Sequence, residues 1–181
     1  MTSGALTTDI TIRRATPADA ARLASFAATA FADTFGADNR PEDMVAYLAG
    51  AFGEARQRAE IEHPGHTVLL AEKDGELVGY AMLRDGQVAA AVEGGTAIEI
   101  ARLYAGKRWI GAGIGGRLMQ RCLDEAWARE KAVVWLAVWE RNARAMAFYR
   151  RWGFADVGSQ SFQLGGDLQS DRVMARRARE G

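Results

Sequence analysis

The glycine-rich segment Gly111–Gly116 is the feature that most constrains the fold of this chain. It follows an apolar run, Thr96–Tyr104, and it opens a segment whose apolar residues recur at helical spacing. The run Val133–Trp139 comes next and is almost continuously apolar, as in a strand covered on both faces. A strand, a glycine loop, a helix and a buried strand form a βαβ unit. The centre of the chain therefore predicts an α/β fold with a parallel strand pair.

Alternating and helical patterns predict the remaining elements. Ile10 and Ile12 alternate with polar residues, which indicates a short strand. A helix is expected from Thr16-Pro17, and a second one is expected to run from Pro41 to about Glu62. The predicted order is strand, two helices, three strands, helix, strand, helix and two strands. The later elements are strands over 67–72 and 77–83, a helix over 142–152 that Gly153 ends, and a hairpin over 156–164 and 168–176.

Composition excludes several classes of function. The 181 residues predict one domain over residues 9–177, with a disordered tail at 1–8 and a second tail at 178–181. Lysine plus arginine and aspartate plus glutamate number 23 each, and this balance argues against nucleic acid as a partner. The single cysteine excludes an internal disulfide framework, and no metal site is expected. With no membrane-length apolar run and no signal peptide, we expect a cytoplasmic protein without a membrane partner.

The glycine loop predicts an anion site. Consecutive backbone N–H groups at a helix N-terminus, together with the helix dipole, suit a pyrophosphate. Gly111, Gly113 and Gly116 also match the dinucleotide fingerprint G-x-G-x-x-G, and Glu140 ends the next strand near the ribose-binding position. Too few residues follow Glu140 for the βα units that a nicotinamide-binding fold needs. The nicotinamide-binding protein remains an alternative at this point.

Two spaced motifs in the chain carry a family resemblance. Arg108-x-x-Gly111-x-Gly113 is similar to the pyrophosphate signature of the GNAT family of N-acetyltransferases, and the preceding segment Glu99–Ala105 looks like the fourth strand of that family. Asn142-x-x-Ala145-x-x-Phe148-Tyr149 with Gly153-Phe154 resembles its second hallmark. The resemblance extends over nearly the whole chain. It implies an acyl-CoA N-acyltransferase fold of the mixed α/β (α+β) class, with a partly splayed, mostly antiparallel sheet and flanking helices.

The resemblance implies acetyl-CoA as cosubstrate and direct attack by an amine. In the family the glycine loop binds the pyrophosphate, which here implies Arg108 and the N–H groups of Gly111, Ala112, Gly113, Ile114, Gly115 and Gly116. The backbone of Leu103, Tyr104 and Ala105 would pair with the pantetheine arm as if it were another strand. One N–H of this segment would stabilise the oxyanion.

Tyr149 is the candidate general acid. A phenol with a pKa near 10 can protonate a departing thiolate whose thiol has a pKa of about 8.5. Asn142 lies two helical turns before Tyr149, so both residues share one helix face. Asn142 is expected to cap the helix and to contact the cofactor. The alternative for Tyr149 is a core residue with a satisfied hydroxyl.

Glu99 is the candidate general base, acting directly or through water. A primary amine with a pKa of roughly 10 is protonated at neutral pH and has to lose a proton before it attacks. Strict alternation along the strand would place Glu99 on the face of Ala101 and Leu103, opposite Ile100, Arg102 and Tyr104. The alternative is a structural ion pair, with Arg102 or at a sheet edge, because a charge inside a sheet otherwise costs free energy.

The acceptor is predicted only by class. A small primary amine is expected, with a polyamine favoured because Phe162–Asp171 is similar to a bacterial subgroup that includes spermidine/spermine acetyltransferases. A peptide or protein amine and a non-catalytic CoA-binding module are the alternatives. Phe35, Tyr47 and Tyr80 are candidates for the acceptor pocket, and each is more simply a core residue. A homodimer remains open.

Overall fold

Residues 10–178 are described by a computed structural model, and they form seven strands and five α-helices. The predicted tail at 1–8 lies outside the described residues, as do residues 179–181 of the predicted tail at 178–181, whereas Ala178 is buried and its N–H donates to the carbonyl of Ala132 at 3.0 Å. The helices are α1 (Ala20–Phe35), α2 (Pro41–Ala51), α3 (Glu54–Glu62), α4 (Ile114–Ala128) and α5 (Ala143–Arg151). The strands are β1 (Thr11–Arg14), β2 (His66–Lys73), β3 (Glu76–Arg84), β4 (Ala97–Ala105), β5 (Val133–Trp139), β6 (Ala155–Leu164) and β7 (Asp167–Arg177).

All seven strands lie in one sheet with the order β1-β2-β3-β4-β5-β7-β6. β4 and β5 are parallel and are connected through α4, whereas the other neighbours pair antiparallel. This is the mixed, mostly antiparallel sheet that the sequence predicts, and the βαβ unit lies at its centre. Within residues 10–178 no helix is long and apolar enough to cross a membrane.

The prediction of one helix from Pro41 to Glu62 is wrong, because two helices occupy this segment. α2 ends at Ala51, and Phe52 leaves helical geometry with φ −126° and ψ 28°. Its ring is buried against Phe31, with 5.5 Å between the ring centroids. Gln57 of α3 donates to the carbonyl of Ala51 at 3.1 Å, which satisfies one of the free carbonyls at the end of α2. Burial of one aromatic side chain therefore outweighs continuation of the helix.

The parallel strands β4 and β5 separate soon after they begin. Their pairing extends only from Ala97–Glu99 on β4 to Val133–Trp135 on β5. Beyond these residues β5 pairs with β7 along its full length, and β4 pairs with β3. The β5-facing edge of β4 after Glu99 therefore has no strand partner among the described residues. A cleft opens in the middle of the sheet.

A β-bulge on β4 reverses the expected side-chain alternation. Tyr80, Met82 and Arg84 alternate on β3 and share one face, and they lie opposite Tyr104, Arg102 and Glu99. The extra residue on β4 is Ala101. Glu99 therefore shares a face with Arg102 and Tyr104, and the prediction that it shares one with Ala101 and Leu103 is wrong.

The two faces of the sheet carry different helices. The α4 face packs against α4 and α5, with Leu118, Met119 and Cys122 in its core. The α1 face packs against α1, α2 and α3 through an aromatic-rich core. Gly79 of β3 allows α4 to approach closely, because a Cβ there would lie 2.7 Å from Ile114 and 2.9 Å from the Tyr104 carbonyl. The cleft between β4 and β5 is thus bordered by a different helix layer on each side.

Candidate functional site

A cavity of about 1170 Å³ occupies the cleft between β4 and β5 and continues beyond the cleft in both directions. We call it the central cavity. Its walls come from β4, the glycine loop and α5 at one end, and from α1, α2, β6 and β7 at the other. The predicted site residues that line it are Glu99, Leu103, Tyr104, Ala105, Gly111, Gly113, Gly115, Gly116, Asn142 and Tyr149. Most of the predicted site residues therefore lie around one cavity.

The glycine loop presents free amides at the start of α4. Gly111 and Gly113 have φ values of +87° and +82°, a backbone conformation that favours glycine. Gly113 caps α4, and the first helical bond runs from the N–H of Arg117 to its carbonyl. The N–H groups of Ile114, Gly115 and Gly116 therefore precede the helical hydrogen-bond ladder. They form an anion site at the positive end of the helix dipole.

Three residues of the predicted pyrophosphate set do not line the central cavity: Arg108, Ala112 and Ile114. The guanidinium of Arg108 pairs with Glu76 of β3. The N–H of Ala112 donates to the carbonyl of Trp109 at 3.1 Å, so this amide is already used within the loop. The Ile114 side chain is buried in the core, although its N–H belongs to the first turn of α4. Among these three residues, only Ile114 has its predicted binding group, the backbone N–H, free to bind a pyrophosphate.

The open edge of β4 offers backbone groups to a ligand. Leu103, Tyr104 and Ala105 line the central cavity and pair with β3 on the other side. Their second edge faces the cleft, where an extended ligand can take the position of a missing strand. The geometry therefore provides what the pantetheine prediction requires.

Tyr149 and Asn142 lie on α5 as the sequence predicts. The Asn142 side chain caps the helix by accepting a hydrogen bond from the N–H of Ala145 at 3.1 Å. Gly153 follows the helix with φ +82°. Tyr149 packs its ring against Phe154, and burial together with the nearby Cys122 raises the pKa of its phenol. The phenol is therefore protonated at neutral pH, as a proton donor has to be.

Glu99 lies in an ion pair with Arg84 rather than with Arg102. The Arg84 guanidinium lies 2.7 Å from the Glu99 carboxylate, which is buried, while Arg84 itself is half-exposed. Burial raises the pKa of Glu99, and the Arg84 charge partly offsets that effect. Arg102 instead pairs with Glu60 of α3 at 2.6 Å. A structural ion pair is thus present, but it lies between two inner strands of the sheet and not at its edge, and it leaves Glu99 on the wall of the central cavity.

The other predicted acceptor residues divide between the cavity and the core. Phe35 and Tyr47 line the central cavity, as does Trp139. Tyr80 is fully buried in the core of the α1 face, which agrees with the simpler interpretation of this residue, and it does not line the central cavity. His63 and His66 stack on each other at 4.1 Å in the turn before β2.

The sequence analysis assigned no role to five charged residues of the central cavity, which are Arg56, Arg84, Arg144, Arg151 and Asp171. Arg144 and Arg151 of α5 line it near the glycine loop, and Asp171 of β7 lines it at the opposite end. Asp171 is 8% exposed. Apart from its place at the end of Phe162–Asp171, its sequence signal is an acid at the start of the alternation that buries Val173 on the same face. That signal does not distinguish a site residue from a residue at the edge of a core.

We expect Asp171→Asn to stabilise the protein at neutral and alkaline pH. Burial and the nearby Glu140 raise the pKa of Asp171 to about 6, whereas an unfolded aspartate has a pKa of about 3.9. The folded state therefore binds the proton more tightly, and stability is lost as the pH rises from about 4 to about 6. Asparagine does not ionise. Its free energy of unfolding should exceed that of the native chain by up to about 3 kcal/mol at pH 8.

Urea unfolding at several pH values measures this difference. The advantage of the variant should shrink as the pH falls through 6 and should vanish near pH 4. Asp124→Asn is the control, since this aspartate lies on the exposed surface of α4 and away from the central cavity. A constant difference at all pH values would contradict the raised pKa.

Comparison with known proteins places the fold and the family. The Acetyltransferase (GNAT) family model matches residues 29–154. An uncharacterized N-acetyltransferase of Lactobacillus delbrueckii subsp. lactis is 34% identical over 146 residues, which cover 81% of this chain and 84% of the relative.

Two solved structures share the fold. The PaiA N-acetyltransferase from Thermoplasma acidophilum, in complex with coenzyme A, superposes with a TM-score of 0.74 at 20% identity, covering 93% of this chain and 99% of that one. The structure of yncA from Salmonella typhimurium, with its cofactor acetyl-CoA, has a TM-score of 0.65 at 27% identity and covers 96% of each chain.

These matches decide between the classes of function that the sequence analysis left open. The family match and the single parallel strand pair remove the nicotinamide-binding alternative, because that fold needs several parallel βα units. A non-catalytic module is likewise disfavoured, since the matched relative is itself named an N-acetyltransferase. The chain belongs to the Acetyltransferase (GNAT) family and is an N-acetyltransferase.

Proposed function

We propose that this enzyme transfers acetyl from acetyl-CoA to a small primary amine, with a polyamine as the favoured acceptor. The observation that carries the proposal is the cleft between β4 and β5, which joins free amides at the start of α4 to an aromatic, carboxylate-containing cavity. The first end suits a pyrophosphate and the second suits a cationic amine. One domain over residues 9–177 contains the whole site.

The donor binds along the glycine loop and β4. The amides of Gly111, Gly113, Ile114, Gly115 and Gly116 hold the pyrophosphate, and Arg108 and Ala112 complete this set only if their present contacts with Glu76 and Trp109 break. The backbone of Leu103–Ala105 pairs with the pantetheine arm, and an N–H there polarises the thioester carbonyl. Asn142 contacts the cofactor from the start of α5.

The proton acceptor and the proton donor approach from opposite sides of the sheet. Glu99 lies on the α1 face and takes a proton from the ammonium group, directly or through water. The neutral amine then attacks the thioester carbon, a C–N bond forms and the C–S bond breaks. Tyr149 packs against the core of the α4 face and protonates the departing thiolate. The amine loses two protons, of which the thiol retains one and solvent receives the other.

The shape of the acceptor end favours a small flexible amine. Phe31, Phe35 and Tyr47 give it an apolar wall that suits a methylene chain. The likeness of Phe162–Asp171 to the spermidine/spermine subgroup supports the same choice, and six residues of this segment line the central cavity, Phe162 and Asp171 among them. A peptide or protein amine is the alternative acceptor.

Release of free thiol from acetyl-CoA across a panel of amines tests the proposal. The panel holds spermidine, spermine, free amino acids, aminoglycosides and short peptides. We expect a saturable response to spermidine or spermine and none to the amino acids. A response to peptides alone would show that the acceptor is a peptide or protein amine and not a small amine. If no amine responds although coenzyme A binds, the small-amine proposal fails.

A further inference from the structure

Asp171 is a buried carboxylate without a hydrogen bond or ion pair in the described part of the chain. It lies on β7 and faces the central cavity. A buried charge without a partner is costly, so proteins rarely keep one. The other buried carboxylates among residues 10–178 all have partners: Asp19 binds Arg13, Asp43 accepts from the N–H of Gly166, Glu60 binds Arg102, Glu99 binds Arg84 and Glu125 binds Arg121. An ionised Asp171 would therefore be stabilised by a cation, and no residue among 10–178 provides one.

The surroundings of Asp171 suit an organic cation. In the sheet it lies directly opposite Trp139 of β5 and Gln160 of β6. The Trp139 ring contacts Phe35 edge-on at 5.9 Å, and the guanidinium of Arg141 already lies over it at 5.2 Å. Aromatic faces next to a carboxylate attract ammonium groups and also accept the methylene chain that carries them.

The arginines of the same cavity do not neutralise Asp171. Arg84 is paired with Glu99, and Arg102 and Arg56 both bind Glu60, at 2.6 and 3.0 Å. The remaining charge that acts on Asp171 is that of Glu140 at the end of β5, and it has the same sign. No cation is therefore paired with Asp171 among the described residues, and the guanidinium of Arg141 lies over the Trp139 ring instead.

The position of Asp171 separates it from the reacting atoms. The thioester would lie in the cleft between β4 and β5, and Asp171 is on β7, beyond β5. Neighbouring strands lie about 4.8 Å apart, so β5 separates the backbone of Asp171 from the cleft by at least one strand spacing. Direct proton transfer needs about 3 Å between heavy atoms. Asp171 can thus contact a cationic group of the acceptor that lies several bonds from the reacting nitrogen.

We propose that Asp171 binds a second ammonium group of the acceptor, so that the enzyme selects diamines and polyamines over monoamines. This inference rests on the proposed function and assigns its specificity to one residue. The reacting amine lies at the cleft near Glu99. The second ammonium lies between the Asp171 carboxylate and the Trp139 ring.

Paired substrates of equal length test this role. Putrescine and butylamine differ by one ammonium group, and spermidine adds a longer chain. We expect Asp171→Asn to lower kcat/KM for putrescine and spermidine by about 10- to 100-fold, through KM, because a charge-assisted contact is lost. The values for butylamine and the KM for acetyl-CoA should change less than about 2-fold. Asp124→Asn is the matched control and should leave all of these values unchanged.

A binding measurement separates this proposal from the proposed function. Calorimetric titration of spermidine into the native enzyme loaded with coenzyme A needs no turnover. We expect binding that Asp171→Asn weakens by about 10-fold or more. If the native enzyme binds spermidine through Asp171 but acetylates no amine, the proposed function fails and the subsite stands. Equal losses for putrescine and butylamine, no loss for either, or no spermidine binding by the native enzyme would each overturn the subsite.

Discussion

Tyr149→Phe should reduce kcat by about 100- to 1000-fold and leave the KM for acetyl-CoA nearly unchanged. The phenol lies in the central cavity on α5, and burial raises its pKa, so it carries a proton throughout the neutral range. Phenylalanine keeps the ring contact with Phe154 and removes only the hydroxyl. The departing thiolate would then have to take its proton from water. Steady-state thiol release with the preferred amine measures the effect.

Tyr80→Phe is the matched control for this variant. The Tyr80 hydroxyl is buried in the core of the α1 face and has no hydrogen-bond partner among the described residues. Its removal should leave kcat within about 2-fold of the native value, since the hydroxyl does not reach the cavity. If Tyr149→Phe retains most of kcat, Tyr149 is a core residue and the thiolate is protonated by another group.

Gly115→Asp should weaken coenzyme A binding by about 100- to 1000-fold without unfolding the protein. Gly115 is the second residue of α4 and lines the central cavity beside the free amides. A Cβ there would lie 3.6 Å from the Phe148 ring, which is ordinary contact. The new carboxylate would repel the pyrophosphate, and two like charges about 4 Å apart near a surface cost about 4 kcal/mol. A carboxylate in the first turn is otherwise favourable to a helix.

Gly115→Asn separates charge from size, because asparagine has nearly the same shape. We expect a loss of about 10-fold or less for the asparagine variant. Calorimetric titration of coenzyme A at low and high salt measures both constants, and salt should reduce the difference between them. Thermal unfolding checks that the melting temperature is retained. Equal losses of affinity for the two variants would show a steric effect. If the aspartate variant binds coenzyme A with native affinity, the pyrophosphate does not bind beside Gly115.

Local patterns were sufficient to predict the βαβ unit, the glycine loop before α4 and the cap of α5. Glycine spacing, the cap at Asn142 and the apolar run of β5 are local properties, because they depend on residues within one or two turns of each other. Positive φ at Gly111 and Gly113 follows from the same local chemistry. The fold class and the family therefore followed from short segments read in order.

The failures of prediction all involve residues far apart in the chain. The end of α2 depends on where the Phe52 ring is buried, and the face of Glu99 depends on the bulge opposite β3. The ion pair of Arg108 with Glu76 of β3 and that of Glu99 with Arg84 likewise join residues that are distant in the sequence. Periodicity carries no information on such partners.

By itself, the sequence determined a mixed α/β fold of this family, the glycine loop and the pair Asn142 and Tyr149, because backbone conformation and helix spacing are encoded locally. Tertiary structure alone decided that Arg84 pairs with Glu99, that β4 and β5 separate after three residue pairs, and that Asp171 reaches the central cavity unpaired. The physical reason is that charge pairing and burial depend on strand order and register, and these bring together residues that are distant in sequence.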